Sequence, residues 1–370
     1  MENSARGGTR YMWYPLLFEP ILKEKIWGGN TLQKKYSRKL PSVKIGESWD
    51  VACHPNGTSV VANGPLKGQT LRQLIDSYGS QLLGQEVQKR FGGKFPLLIK
   101  LLDATEFLSV QVHPDDKYAA LHEGGQPGKT EMWYIIHAQP GAQLIYGLVP
   151  GTSREEFEQA VMEGKLEKYL RSIEVKAGDV LYIPAGVVHA IGPGILICEI
   201  QQNSDTTYRV YDWNRLGDDG KPRELHVDKA LDVIDFSGRL TRDKLTGLSV
   251  EEEGGRRTYY IACDYFAVEK IECRGSIYEK GDGTKFFTLT AVEGQGEIVY
   301  SQGNQPFKGG DSILIPACLG DYVIRGKCTI IKAYVPNRER DVIAPLQAKG
   351  FTKDQLGVIA GLFEGDGGEK

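Results

Sequence analysis

The stretch KLLDATEFLSVQVHPDD, residues 100–116, decides how the rest of the chain is interpreted. Successive residues of a β-strand point to opposite faces of the sheet, so a strand through residues 108–113 would separate apolar from polar side chains. The apolar face would carry Leu108, Val110 and Val112, and the polar face Ser109, Gln111 and His113. A carboxamide and an imidazole two residues apart can begin a metal site inside a β-barrel, where ligands from several strands converge. An edge strand that runs into an exposed turn at Asp115 and Asp116 would give the same pattern.

The composition excludes several classes of protein. The chain has 370 residues and a formal net charge of −3 without a dense basic run, so we expect no nucleic-acid-binding surface. Its six cysteines are scattered without a CxxC pair, which fits buried reduced thiols and a cytoplasmic location. No apolar run is long enough to cross a bilayer, so no membrane partner is expected. Residues 1–11 are polar and rich in glycine and serine, which predicts a leader or a disordered extension.

Short strands separated by turns are predicted for most of the chain. Over residues 15–49, glycine and proline break the apolar residues into short pieces, which favours strands and loops over helices. Leucines near helical spacing predict one or two short helices near residues 70–91. A serine or threonine cap followed by acidic residues predicts a second helical stretch over residues 152–171.

Three of the predicted strands carry charged residues among apolar ones. Residues 95–104 form an apolar run with Lys100 as the single cation, and residues 131–138 begin with Glu131. A later aliphatic run, ILICEIQQ, contains Glu199. A buried charge is costly unless it is paired, so these side chains must find partners, reach solvent or face a site.

An internal repeat indicates two similar halves. The segment FKGGDSILIPACLGDYVI, residues 307–324, aligns with VKAGDVLYIPAGVVHAI, residues 175–191, and places Asp321 opposite His189. A repeated strand–turn–strand unit among short strands predicts two jelly-roll β-barrels of the double-stranded helix type. We expect a metal-binding domain over residues 12–250 and a second domain over residues 251–370 that lacks the ligands.

Four candidate metal ligands lie on predicted strands of the first barrel: Gln111, His113, Glu131 and His189. Two imidazoles, a carboxylate and an amide oxygen suit a borderline divalent ion, with zinc first and Fe(II), Mn or Co as alternatives. Each residue alone has an ordinary structural explanation, such as a capped strand end or a core histidine. Together, H-x17-E followed by G-D-x-x-x-I-P-A-G-x-x-H is the metal arrangement of cupin barrels.

The motifs KIWGG, GESWDV, FPLLIKLLDA, LSVQVHPDD, GKTEMWYI, IPAGVVHAIG and SDTTYRVYDW occur in this order. From about residue 15 to the C-terminus, the chain resembles type I mannose-6-phosphate isomerase, also called phosphomannose isomerase, in its short bacterial form. The resemblance implies a zinc enzyme with two cupin-type barrels that interconverts mannose 6-phosphate and fructose 6-phosphate through a cis-enediol. It also implies that the four candidate ligands hold the metal. By position, the catalytic arginine of the family falls on Arg209, its active-site lysine on Lys129, and its two acids on Glu199 and Asp205.

The residue chemistry leaves the catalytic base open between Glu199 and Lys129, because burial shifts the pKa of a carboxyl group up and that of an amine down, each toward neutrality. Arg209 could bind a phosphate or an enediolate, and Asp205 could orient it. A structural Arg–Asp pair on a loop is the alternative. Further candidates for substrate contact are Lys100 and Ser109, with Trp27 and Glu47 at the rim.

Two other functions remain compatible with the sequence. The first is another metal cupin, either a sugar-phosphate isomerase of different specificity or an oxygenase. The second is a sugar-phosphate-binding cupin without catalytic activity. For the isomerase we expect a small phosphorylated sugar as the partner and a monomer or homodimer. We also expect a solvated turn at Asp115 and Asp116.

Overall fold

The computed structural model describes residues 13–216 and 220–363, so the extension expected at residues 1–11 lies outside the described residues. Short strands dominate these ranges, as the glycine and proline pattern predicts. The strands of the first part are β1 Leu16–Glu19, β2 Ile21–Gly29, β3 Ile45–Val51, β4 Cys53–His54, β5 Gly57–Thr58, β6 Val60–Val61, β7 Leu97–Ala104, β8 Val110–Val112, β9 Glu131–Ala138, β10 Gln143–Leu148, β11 Leu170–Glu174, β12 Val180–Ile183, β13 His189–Ala190, β14 Ile195–Gln202 and β15 Tyr208–Tyr211.

Two antiparallel sheets face each other in this part and enclose a core. One has the strand order β12-β9-β14-β7-β2-β3, and the other has the order β11-β10-β13-β8-β15. Trp27, Leu102 and Ile197 of the first sheet share a buried cluster with Leu144 and Tyr146 of the second. The mainly β architecture agrees with the prediction. It differs in one respect, because these sheets are open layers and do not close into continuous hydrogen-bonded barrels.

Strand β9 is apolar because both of its faces are buried. Glu131 and Trp133 point into the space between the two sheets, whereas Met132 and Tyr134 pack on the opposite face in a larger cluster with the helices and the C-terminal sheet. The sequence of a strand that is covered on both faces is a nearly continuous apolar run. Only its end is exposed, at His137.

Short helices lie at the periphery of the sheets. Their bounds are α1 Thr31–Tyr36, α2 Leu71–Tyr78, α3 Ser80–Leu83, α4 Gln85–Phe91, α5 Asp116–His122, α6 Arg154–Met162, α7 Val227–Val233, α8 Ala344–Ala348 and α9 Lys353–Leu356, with 3₁₀ turns at Leu166–Tyr169 and Ala317–Leu319 and a π turn at Glu339–Ile343. Among the described residues, no helix is long and apolar enough to span a membrane.

The helix predictions need three corrections. Helix α1 lies where only strands and loops were expected, because six residues are too few to show helical periodicity. Three helices rather than one or two occupy residues 70–91, divided at Gly79 and Gly84. Helix α6 begins at the predicted serine cap but ends at Met162, and the chain then continues through a 3₁₀ turn into β11.

Asp115 and Asp116 are exposed to solvent, as predicted, but they begin helix α5 and do not form a simple turn. Asp115 is the N-cap of α5 and accepts a hydrogen bond from the Tyr118 amide, 2.8 Å away. Asp116 accepts bonds from the Gly128 amide at 2.7 Å and from Gln202 Nε2 at 2.9 Å. Both carboxylates therefore fix the loop that leads from the metal-ligand strand β8 to the strand β9.

The C-terminal part contributes most of a ten-stranded antiparallel sheet. Its strands are β16 Leu248–Glu252, β17 Gly255–Ala262, β18 Ala267–Cys273, β19 Ser276–Glu279, β20 Phe287–Tyr300, β21 Gly303–Lys308, β22 Ser312–Ile315 and β23 Tyr322–Tyr334. The order is β16-β17-β18-β23-β20-β22-β1-β6, with β19 paired to β23 and β21 to β20. Strands β1 and β6 thus join this sheet, and β16 begins slightly before the predicted domain boundary, which stays a prediction.

The internal repeat has the same local structure in both copies. Gly178 and Gly310 precede β12 and β22 with φ of 92° and 90°, a conformation that favours glycine. After each strand comes the proline turn, and there the copies diverge. His189 is buried in β13, whereas Asp321 is exposed and accepts hydrogen bonds from Tyr278 and the Gly281 amide.

A network of buried charges fills the interior of the second part. Arg257 donates to Glu269 and Glu279, and Lys332 contacts the same two carboxylates. Tyr334 donates to Glu269 at 2.7 Å. Arg257 also contacts Glu252, which is half-buried, so each buried carboxylate of this network has cationic partners from within the chain.

Candidate active site and metal centre

The metal-ligand candidates lie side by side on neighbouring strands. Gln111 on β8 is in register with His189 on β13 and, on its other side, with Arg209 on β15. His113 follows two residues later on the same face of the chain, and Glu131 at the start of β9 reaches the same point from the opposite sheet. The alternation that singled out residues 108–113 therefore brings side chains from four strands to one place.

Three of the four candidates converge closely enough to hold a metal ion. The ligand atoms of His113, Glu131 and His189 all lie within 4.8 Å of one another, and all three residues are buried. His113 Nε2 is 3.2 Å from Glu131 Oε1, and His189 Nε2 is 3.9 Å from Glu131 Oε2. Gln111 Nε2 lies 3.2 Å from His189 Nε2, and a 180° rotation of the amide would present Oε1 there instead.

Backbone carbonyls orient both imidazoles for metal binding. His113 Nδ1 is 2.9 Å from the Thr206 carbonyl, and His189 Nδ1 is 2.9 Å from the Val187 carbonyl. If Nδ1 carries the proton and donates it, Nε2 is left as a lone-pair ligand. Burial lowers the pKa of both histidines, that of His113 to about 3, so both rings are neutral at pH 7.

The Glu131 carboxylate is poised for a cation. Its Oε1 is buried and has no hydrogen-bond partner among the described residues, although Lys129 Nζ is 3.0 Å away. The Lys129 ammonium is also 3.3 Å from His113 Nε2. Burial alone would raise the pKa of Glu131, but the neighbouring lysine and histidines hold it well below its usual range. The donor set therefore fits a divalent cation at the point where a lysine cation now lies.

The facing sheet contributes a buried ion pair between a lysine and a glutamate. Lys100 on β7 and Glu199 on β14 are in register, and Lys100 Nζ is 3.2 Å from Glu199 Oε1. Trp133 Nε1 is 3.1 Å from both Glu199 Oε2 and Glu131 Oε2, so the indole links this pair to the metal ligands. Burial and the Glu131 charge raise the pKa of Glu199 to about 7 against the opposing effect of Lys100.

A cavity of about 310 Å³ opens above these groups. Its lining contains the predicted residues Trp27, Glu47, Lys100, Ser109, Gln111, Lys129, Glu199, Asp205 and Arg209. The three convergent ligands lie beneath it. The lining also includes residues that sequence reasoning missed, namely Lys25, Leu102, Leu108, Thr207 and Arg223. Lys25 and Thr207 lie within two residues of predicted ones, whereas no sequence pattern marked Arg223.

The expected pairing of Asp205 with Arg209 is replaced by other contacts. Asp205 is exposed and accepts a hydrogen bond from Asn56 Nδ2 at 3.0 Å. Arg209 Nη1 donates to the Glu224 carbonyl at 2.8 Å. The two residues line the same cavity, but the main chain of another loop holds the arginine.

Comparisons with known proteins agree with this arrangement. The family model "Phosphomannose isomerase type I, catalytic domain" matches residues 16–132, and "Mannose-6-phosphate isomerase, cupin domain" matches residues 256–335. Mannose-6-phosphate isomerase ManA of Bacillus subtilis is 43% identical over 321 residues, which cover 87% of this chain and 99% of that protein. The chain belongs to the type I phosphomannose isomerase family. Its predicted mainly β, cupin-type fold is thereby confirmed.

Other members of the phosphomannose isomerase family extend the comparison. Mannose-6-phosphate isomerase of Streptococcus mutans is 39% identical over 86% of this chain and 98% of its own length. The crystal structure of the Bacillus subtilis mannose 6-phosphate isomerase superposes with a TM-score of 0.78 at 38% identity, covering 86% of this chain and 99% of that one. A Salmonella typhimurium phosphomannose isomerase shares the fold at 17% identity, with a TM-score of 0.70.

Proposed function

We propose that this protein is a metal-dependent aldose–ketose isomerase that interconverts mannose 6-phosphate and fructose 6-phosphate. One observation carries the proposal: the buried carboxyl group of Glu199, in the lining of a cavity, is linked through Trp133 Nε1 to the His113/Glu131/His189 metal-binding set. Relatives named mannose-6-phosphate isomerase, aligned over nearly their whole length, support the same substrate pair.

Zinc is the proposed metal, held by Gln111, His113, Glu131 and His189. Two neutral imidazoles with one carboxylate are a common zinc donor set, and the orphaned Glu131 Oε1 provides the negative oxygen. When bound, the ion would act as a Lewis acid that polarises the sugar oxygens. Because the ligands carry only one negative charge, the site would remain electropositive toward an enediolate.

Glu199 is the proposed general base. A carboxylate with a pKa near the working pH can take the proton from C2 of the aldose and return it to C1 of the cis-enediol. The ketose forms when, in addition, the proton of the O2 hydroxyl is transferred to O1. Lys100 keeps a fraction of Glu199 ionised by lying 3.2 Å from it, and Trp133 fixes the other carboxylate oxygen. Lys129 is assigned the stabilisation of negative charge on the sugar oxygens, since its Nζ lies among the metal ligands.

We also propose a cellular location and an oligomeric state for the protein. The six cysteines are all free in the structure, which supports a reducing compartment, and we propose the cytoplasm. The candidate site is built from one chain, so a monomer or a homodimer is compatible with it.

The test follows fructose 6-phosphate formation from mannose 6-phosphate before chelation, after chelation, and after zinc is added back. Turnover should be lost with the metal and restored by zinc. His189→Ala should retain little metal and little activity, whereas His137→Ala, at the exposed end of β9, should behave as the wild type. Absence of turnover in the zinc-loaded wild type would refute the proposal. Sugar-phosphate binding without turnover would instead favour a non-catalytic cupin.

A further inference from the structure

We propose that Arg223 binds the phosphate group of the substrate, together with Arg209, on the side of the cavity formed by β15 and the loop that follows it. The inference rests on the proposed function for the identity of the substrate and goes beyond it by assigning its phosphate subsite. Arg223 lies on a loop with no recognisable motif, and it lines the cavity beside Arg209.

Charge balance within the cavity singles out the arginines. Each of the three lysines that line it has a carboxylate of its own close by. The pairs are Lys25 with Glu47 at 2.8 Å, Lys100 with Glu199 at 3.2 Å, and Lys129 with Glu131 at 3.0 Å. Their charges are therefore largely neutralised before any substrate binds. Among the described residues, Arg209 forms no ion pair, and Arg223 shares its carboxylate, Asp212, with Arg215.

Arg209 has a hydrogen-bonding group with no partner. Its Nη1 donates to the Glu224 carbonyl, but its Nε is buried and unpartnered among the described residues. Burial and the nearby charge of Arg223 both lower the pKa of Arg209. An anion between the two guanidinium groups would satisfy the free Nε–H and relieve the repulsion between the cations.

Asp212 positions Arg223 without fully neutralising its charge. Arg223 Nε and Nη2 donate to its two oxygens at 2.7 and 2.5 Å, and Nη1 takes no part in that pair. The same aspartate also accepts a bond from Arg215 at 2.7 Å, so one anion serves two cations. Arg215 has a second partner, Glu106 at 3.4 Å, so Arg209 and Arg223 are the cations that a phosphate monoester, near −2 at neutral pH, would meet in the cavity.

The distance from the metal site suits a hexose phosphate. His189, Gln111 and Arg209 lie in register on three adjacent strands, and strands are about 4.8 Å apart, so the Arg209 backbone is about 10 Å from that of His189. The reacting carbons would lie near Glu199 and the metal ligands, and the terminal phosphate near the arginines. A sugar without that phosphate would leave both cations unpaired and bind weakly.

The test compares Arg223→Gln with Arg215→Gln in the zinc-loaded protein. Arg215 is the matched control, because it shares Asp212 but does not line the cavity. We expect Arg223→Gln to raise KM for mannose 6-phosphate tenfold to a hundredfold, with kcat changed only a few-fold. Tenfold corresponds to about 1.4 kcal/mol. The dissociation constant of inorganic phosphate, measured by calorimetry, should rise by a similar factor, Arg223→Lys should recover part of the loss, and Arg215→Gln should change neither quantity.

Three results would overturn the assignment: an unchanged phosphate dissociation constant in Arg223→Gln, a loss in kcat alone, or equal losses in the two glutamine variants. The last would mean that the Asp212 cluster is only structural. The calorimetry needs no turnover. If the wild type binds phosphate through Arg223 but does not convert mannose 6-phosphate, the subsite stands and the proposed reaction fails.

Discussion

Replacing Lys100 by methionine should shift the pH dependence of the reaction through Glu199. Lys100 is buried, with its Nζ 3.2 Å from Glu199 Oε1, and its ammonium opposes the burial that raises the pKa of this acid. Methionine keeps the volume of the side chain and removes the charge. The substitution therefore tests whether the carboxylate form of Glu199 is the active one.

The size of the shift follows from the contact distance. An opposite charge this close to a carboxylate lowers its pKa by about 1 to 3 units, so Lys100→Met should raise the pKa of Glu199 by about that amount. A general base works when deprotonated, so activity is present above its pKa and lost below it. The acid limb of kcat/KM should move upward by about 1 to 3 pH units. At pH 7 this corresponds to a loss of about fivefold to several hundredfold, which alkaline pH would reverse.

The assay is the pH profile of kcat/KM for mannose 6-phosphate in the zinc-loaded protein. Two controls isolate the effect of charge on Glu199. Lys100→Arg keeps the cation and should leave the acid limb near its wild-type position. Lys25→Met removes another lysine of the cavity, one paired with Glu47, and should not move it. If Lys100→Met lost the same factor at every pH, Lys100 would act directly on the substrate and the assignment of Glu199 as its target would be wrong.

Three further predictions concern other parts of the molecule. Glu199→Gln should lower kcat about 10²- to 10⁴-fold while zinc content stays unchanged, and loss of zinc would show a structural role instead. Lys332→Met should lower the free energy of unfolding in denaturant by about 3–5 kcal/mol because it removes one of the two cations that neutralise the buried carboxylates of Glu269 and Glu279, whereas exposed Lys327→Met on the same strand should cost less than about 0.5 kcal/mol. Equal effects would refute the role of the network. Burial raises the pKa of Glu269, but the neighbouring Lys332 and Arg257 outweigh it and lower this pKa to about 2. The contribution of Glu269 to the free energy of unfolding should therefore be complete above pH 4.5 and lost as the pH falls toward 2. Unfolding curves at pH 7 and pH 3 would show the difference.

The strands and the ligand set were predictable because their signals are local. Alternation along residues 108–113 separates two faces, and the turn after each GD motif repeats because Gly178 and Gly310 need the same positive φ. The convergence of Glu131 with the histidines followed from the spacing typical of cupins and the known resemblance. Each of these features depends on a few adjacent residues or on a pattern repeated within the chain.

The features that were missed depend on contacts between distant segments. The bonds of Asp116 to the loop before β9 and to β14 come from residues twelve and eighty-six positions away. The pairing of Arg209 was misassigned because a four-residue spacing suggested Asp205, whereas the carbonyl that holds the arginine comes from a loop fifteen residues later. That same loop carries Arg223. Sequence spacing gives no indication of how such a loop folds back over a cavity.

The two interiors treat buried charge in opposite ways, and the contrast explains why only one of them is a candidate site. In the second, Arg257 and Lys332 form a network with two glutamates. In the first, Lys129 and Lys100 pair with Glu131 and Glu199, but the neutral rings of His113 and His189 also place Nε2 near Glu131, and Arg209 Nε is buried without a hydrogen-bond partner among the described residues. Imidazole lone pairs beside a carboxylate suit a metal ion, and a free guanidinium N–H suits an anion. The described residues of the second interior contain no such His/Glu/His set, so its buried charges serve only one another.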